Sequence, residues 1–228
     1  MTRTLFACLL AAGLPVAARA QAPAPDPETA TFVIRHGADT VATEQVSRTA
    51  TEIHGELSLA HSKTGTSERY RAVVAPDATL PLVEVTVGAK APSPRERAPI
   101  EQRTRVIFKG DSVAVDDASP GGLQTRIIGT EAGAMPYLNL SFGLLEQTLR
   151  RSATLGTGTV KVPLFNLSRS HEQYGGQTVP ATITRLGADS VSLAIGSVDY
   201  RLKVDSTGRL MGGGIPSQQL SFERVRGR

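Results

Sequence analysis

Three polar side chains between residues 52 and 56 have the types and the spacing of metal ligands. Glu52, His54 and Glu56 alternate along "TEIHGEL", so in a β-strand all three would project from one face. An imidazole between two carboxylates can hold a divalent cation, and His61 could supply a distant fourth ligand. A strand that only presents charge to solvent has the same pattern. The sequence therefore gives these residues as metal candidates only, and it predicts no cofactor.

A second group of candidates is Arg35-His36-Gly37, which follows a short apolar stretch. This triplet resembles the phosphate-binding start of the histidine phosphatase family. The resemblance implies that His36 would accept a phosphoryl group and that Arg35 would bind it. In that family a second histidine and a second arginine complete the pocket.

The turn that contains His36 has a second copy without the histidine. The stretch "RHGADTV" begins at residue 35 and "RLGADSV" begins at residue 185. Glycine supplies a positive φ angle and aspartate can bond its own backbone two residues on, and both are typical of hairpin turns. We therefore expect a hairpin turn at residues 36–40 with His36 beside it, and we predict no catalytic residue. A phosphoester hydrolase that acts through Arg35-His36-Gly37 is the alternative.

The first twenty residues have the pattern of a secretory signal peptide. Arg3 is followed by an apolar run over residues 5–16. Ala18 and Ala20 then place small residues at the two positions that a signal peptidase reads. We expect cleavage after residue 20 and export to the periplasm or the extracellular space. Residues 21–30 are rich in proline and predict a disordered tether, and residues 31–228 predict a single domain. No other stretch is apolar enough over about 18 residues to predict a transmembrane helix.

Composition excludes several classes of site. The single cysteine, Cys8, lies in the signal, so the mature chain would have no disulfide, thiol nucleophile or cysteine-based metal site. Loss of Arg3 and Arg19 leaves 25 − 2 = 23 basic residues against 21 acidic ones. These basic residues are scattered singly, which predicts no nucleic-acid partner.

Beyond residue 30 the sequence predicts a mainly antiparallel all-β domain. Short runs rich in Val, Ile, Thr and Leu alternate with Gly, Asp and Pro. The predicted strands are 31–36, 40–48, 51–60, 66–75, 81–88, 101–109, 112–116, 123–129, 158–165, 177–186, 189–195, 197–204, 208–212 and 217–225. The Pro- and Arg-rich residues 88–99 predict a long exposed loop.

One segment, residues 136–150, predicts an amphipathic helix. Leu138, Phe142, Leu145 and Leu149 follow one another at spacings of four, three and four, which places them on one helical stripe. Pro136 suits a helix start, and Glu146 can pair with Arg150. We expect the stripe to be core rather than a ligand site. A curved sheet or half-barrel packed on this helix is the first expectation, and a β-sandwich is the second.

This architecture is similar to the periplasmic half-barrel carriers of the Lol lipoprotein-carrier type and to related β-rich envelope families. The similarity rests on predicted export, the number of strands, a helix that covers the sheet and the stretch "VDSTGRLMGGGIP". It implies an apolar surface that binds a lipid or another hydrophobic small molecule. We therefore expect a non-enzymatic exported protein. A structural or interaction protein that uses exposed strand edges is a further possibility.

Overall fold

The computed structural model describes residues 26–60, 66–89, 100–167 and 178–225. The predicted signal peptide, His61 and most of the loop predicted over 88–99 lie outside these ranges. The described elements are β1 (Glu28–His36), β2 (Asp39–Arg48), β3 (Glu52–Leu59), β4 (Thr66–Val73), β5 (Leu82–Ala89), β6 (Ile100–Lys109), β7 (Ser112–Ser119), β8 (Gly122–Gly129), β9 (Met135–Tyr137), α1 (Phe142–Leu155), β10 (Thr159–Asn166), β11 (Thr178–Arg185), β12 (Ser190–Ile195), β13 (Val198–Val204), β14 (Leu210–Ile215), a 3₁₀ turn (Pro216–Gln218) and β15 (Leu220–Val225).

Each of the fourteen predicted strands has a counterpart in the structure. The predicted start of the first strand was wrong: β1 begins at Glu28, so residues 28–30 belong to the sheet and not to a tether. The reason is that the alternation of buried residues in β1 extends back to Ala30, which is buried and lies opposite Val46. Strand β9 was not predicted, because three residues are too few to show a period of two.

All fifteen described strands form one hydrogen-bonded sheet. Its order is β8-β7-β6-β5-β4-β3-β2-β1-β15-β14-β13-β12-β11-β10-β9, so two runs of sequential strands meet where β1 pairs with β15. The pairing of β9 with β10 is parallel, and the other described pairings are antiparallel. The sheet is curved and does not close into a barrel. The fold is therefore the curved sheet expected first, and not a β-sandwich.

One face of the sheet, here called the inner face, packs on α1 and forms the hydrophobic core. The centre of this core is aromatic and lies where the two runs of strands meet. The ring of Phe142 on the helix stacks on Phe222 of β15 with centroids 3.7 Å apart, and it lies 5.8 Å from the ring of Phe32 on β1. The start of the helix is thus fixed over the middle strands, and the helix also contacts β9 and β10 at one end of the sheet.

The helix begins later than predicted. Pro136 lies in β9 opposite Phe165 and does not start a helix. The helix begins at Phe142 because the Ser141 side chain caps it by accepting a hydrogen bond from the backbone N–H of Leu144, at 3.4 Å. Leu138 is therefore a buried residue of the preceding segment, and not part of the helical stripe.

The other residues of the predicted stripe lie in the hydrophobic core. Phe142, Leu145 and Leu149 are buried on α1. The Arg150 guanidinium donates to the Glu146 carboxylate at 3.0 Å, as the spacing predicted. The helix continues to Leu155 and is followed by Gly156, whose φ of +146° lies in a region that favours glycine. None of the described helices is long and apolar enough to cross a membrane.

Candidate functional site

A buried carboxylate, Glu44 of β2, holds the first turn of α1 against the sheet. Its Oε2 accepts backbone N–H bonds from Phe142 at 2.6 Å and Gly143 at 3.1 Å. Its Oε1 accepts hydroxyl bonds from Tyr70 at 2.7 Å and Ser141 at 2.8 Å. Burial raises the pKa of Glu44 to about 7, and these four hydrogen bonds oppose that rise. The contacts fix where the helix starts, and with it the segment just before it.

A second group of charged residues holds one side of α1, at Glu146, against the sheet. The Glu146 carboxylate accepts hydrogen bonds from Arg224 at 2.7 Å and from the backbone N–H of Leu210 at 3.0 Å. Arg224 also donates to Glu28 at 2.8 Å, and Arg48 lies 3.7 Å from Glu146. Each of these charges has an opposite charge as its neighbour. The group therefore serves to anchor the helix, and its carboxylates are already occupied.

Beside the helix, a pocket of about 300 Å³ remains on the inner face. Its floor is formed by strands β3 to β6, and its roof by residues 138–140 together with Leu167. The helix begins only at residue 142, so among the described residues the cover over these strands is formed by the non-helical segment 138–140 and Leu167.

The floor of the pocket follows from the strand register. Glu68 of β4 lies opposite Leu57 of β3 and Val87 of β5, and Val87 in turn lies opposite Gln102 of β6. Directly opposed residues in antiparallel strands point to the same face. These four side chains therefore form one row across four strands, and all four line the pocket.

Leucines form most of the roof, and their backbone conformation is held by hydrogen bonds and includes one positive φ angle. The backbone N–H of Ser141 donates to the carbonyl of Leu138 at 3.1 Å, and Leu140 has a φ of +61°. A leucine in this left-handed region costs about 1 kcal/mol or more. The backbone N–H of Leu167 donates to the Tyr137 carbonyl at 2.8 Å, which holds Leu167 beside the same segment. The roof is thus built by defined contacts.

Glu68 is the pocket's unusual residue. Among the described residues that line the pocket it alone has an ionisable side chain, and the other polar groups there are amides and a hydroxyl. Burial raises the pKa of Glu68. Sequence reasoning missed this residue, although a signal was present: in "SERYRA" Glu68 has the same parity as the inward-facing Tyr70 and Ala72. An acidic residue at an inward-facing position of a strand could have indicated a candidate site residue.

The metal candidates Glu52, His54 and Glu56 lie on β3, and His61 lies outside the described residues. Glu52 accepts a hydrogen bond from Arg71, and His54 Nε2 lies 3.1 Å from the same carboxylate. His54 and Glu56 border an open depression of about 590 Å³ away from the pocket. Within the described ranges, no group of three or more His, Cys, Asp or Glu side chains could hold a metal ion. The three residues are side chains of a charged, largely exposed strand face.

His36 lies at the end of β1, beside the predicted hairpin turn. Gly37 and Ala38 separate β1 from β2, and Gly37 has the positive φ, +58°, that the turn requires. The Arg35 guanidinium donates to Glu223 of β15 at 2.7 Å, and Asp39 lies opposite His36. Carboxylates beside both residues work against phosphate binding, because like charges repel.

Comparison with known proteins bears on the fold alone. No family model and no curated protein matches the chain. A solved structure that resembles it is the crystal structure of a DUF1089 family protein from Pseudomonas aeruginosa. The TM-score is 0.55 at 13% sequence identity, over 80% of this chain and 92% of that chain. The chain thus has a fold similar to that of a DUF1089 family protein.

Proposed function

We propose that this chain is an exported, non-enzymatic protein of the cell envelope that binds a lipid or another hydrophobic small molecule. The observation that carries the proposal is the pocket between strands β3 to β6 and residues 138–140. Its size is at the lower end of the range usual for small-molecule sites. The N-terminal signal pattern supports the location.

The lining of the pocket and the buried charges beside the helix both support binding rather than catalysis. Its lining is dominated by leucine and valine side chains, including Leu57, Val87 and Leu138. The buried charged groups around Glu44 and Glu146 are engaged in holding the helix, as described above. The phosphoester hydrolase alternative gains no support from the geometry, because Arg35 is paired with Glu223.

The proposal is tested by binding of N-phenyl-1-naphthylamine, an uncharged dye that fluoresces in apolar surroundings. The purified protein should show saturable binding. Val87→Trp places a large ring in the row that forms the pocket floor, and we expect it to weaken binding about tenfold or more. Leu186→Trp is the matched control, since Leu186 is 65% exposed in a turn, and should bind as the wild type does.

Thermal unfolding of both variants establishes that they are folded. Two results would contradict the proposal: no saturable binding by the folded wild type, or equal binding by the wild type and a folded Val87→Trp variant. The second result would mean that the dye binds elsewhere on the molecule.

A further inference from the structure

The pocket contains a feature that a purely apolar site does not need, the carboxyl group of Glu68. We propose that the pocket's ligand is a hydrophobic molecule that carries a protonated amine, with the Glu68 carboxylate as its counter-ion. This inference rests on the proposed function and narrows it to a class of ligand. Glu68 lies on the pocket floor, makes no contact with a charged partner among the described residues, and is surrounded there by neutral groups.

The position of Glu68 places its charge on the floor of the pocket. Its cross-strand neighbours are Leu57 on one side and Val87 on the other, and both are apolar pocket residues. The carboxyl is therefore flanked by hydrocarbon within the sheet. A ligand whose chain lies on these residues would bring its polar end beside the carboxyl.

Glu68, which is partly buried, also differs from the buried acids Glu44 and Glu146 in having no partner among the described residues. Glu44 accepts four hydrogen bonds, and Glu146 is paired with arginines. Glu68 makes no hydrogen bond or ion pair with any described residue, and burial raises its pKa. A partly buried carboxylate without a partner is unfavourable, and an opposite charge relieves that cost.

The remaining polar groups of the lining do not supply that charge. Gln102, Thr104 and Asn139 are neutral, so the charge of the described lining is negative. An ammonium group would form a charge-assisted hydrogen bond with the Glu68 carboxylate. A fatty carboxylate would meet a like charge instead. The pocket should therefore rank ligands of equal chain length as amine, then alcohol, then carboxylate.

The ranking can be measured by isothermal titration calorimetry with decylamine, 1-decanol and decanoate below their micelle-forming concentrations. For the wild type near pH 8, we expect decylamine to bind about tenfold more tightly than decanol, and decanoate more weakly than either. Glu68→Gln should abolish the preference for the amine and leave decanol binding within about threefold. Glu56→Gln is the matched control, because Glu56 lies on the neighbouring strand β3 and is exposed outside this pocket.

The outcomes separate the two proposals. Equal binding of decylamine and decanol by the wild type, or an amine preference that survives Glu68→Gln, would overturn the amine class and leave a hydrophobic pocket. Failure of the folded wild type to bind any of the three compounds would overturn both proposals. If Glu68→Gln does not fold, the wild-type ranking alone tests the amine class. Decanoate that binds as tightly as decylamine would then exclude Glu68 as a carboxylate counter-ion.

Discussion

Replacing Glu44 by glutamine should change how the free energy of unfolding depends on pH, and not only the free energy of unfolding at one pH. The pKa of Glu44 is about 7 in the folded protein against 4.5 for an unperturbed glutamate. Because the folded state binds this proton more tightly, the carboxyl's contribution to the free energy of unfolding is fully present below pH 4.5. That contribution is lost as the pH rises to about 7. The difference of about 2.5 pKa units corresponds to about 3 kcal/mol.

Glutamine has the shape of glutamate but does not titrate. Its oxygen can accept from the backbone N–H groups of Phe142 and Gly143, and its amide can donate to the hydroxyl of Tyr70 or Ser141. We therefore expect the stability advantage of the wild type over Glu44→Gln to shrink by about 3 kcal/mol between about pH 4.5 and about pH 8. The difference in the free energy of unfolding is measured by urea denaturation, with far-UV circular dichroism as the signal. The spectrum of the native variant shows whether the helix is retained.

The opposite pH dependence would refute this reasoning. If the advantage of the wild type grows with pH, the four hydrogen bonds to Glu44 outweigh its burial, and the carboxylate stabilises the helix start. A constant difference over the same range would mean that burial and hydrogen bonding cancel. In either case, desolvation would not dominate at this buried site.

Two further predictions concern packing and the helix anchor. Gly55→Ala would place a methyl group into the ring of Tyr70, so we expect the free energy of unfolding to fall by about 3 kcal/mol. Gly37→Ala, in an open turn, should lower it by about 1 kcal/mol. Equal losses for the two variants in urea denaturation would contradict the packing argument. Arg224→Met should destabilise the protein by about 3 kcal/mol, because it removes an arginine partner from the buried carboxylate of Glu146. A melting temperature unchanged by this substitution would show that the remaining arginines suffice.

The strands could be predicted because their side chains alternate between a buried and an exposed face. Phe32 and Ile34 in β1, for example, are buried while their neighbours are partly exposed. The helix boundary could not be predicted as well, because Pro136 suits a helix start and Ser141 suits a cap, and only the pairing of β9 with β10 decides between them. That pairing joins Pro136 to Phe165, far along the chain.

The candidate pocket was beyond prediction for a different reason. It lies between strands β3 to β6 and residues 138–140, and the placement of these residues depends on contacts between distant segments, such as Glu44 with Ser141. The motifs that stood out in the sequence, around His36 and His54, lie on exposed parts of the sheet. Glu68 belongs to no motif. The alternation in β4 indicates that it points inward, but its place beside Leu57 and Val87 follows only from the strand pairing.

The pairing of β1 with β15 has a consequence for how the chain folds. Neighbouring strands elsewhere in the sheet follow one another closely in sequence, so each run can form locally. The junction joins residues such as Thr31 and Val225, and it brings the start of β1 beside the end of β15. During folding, β1 must therefore keep one edge unpaired until β15, the last described strand, pairs with it. Since Phe222 of β15 also stacks on Phe142, the helix can complete its packing on the sheet only after β15 is in place.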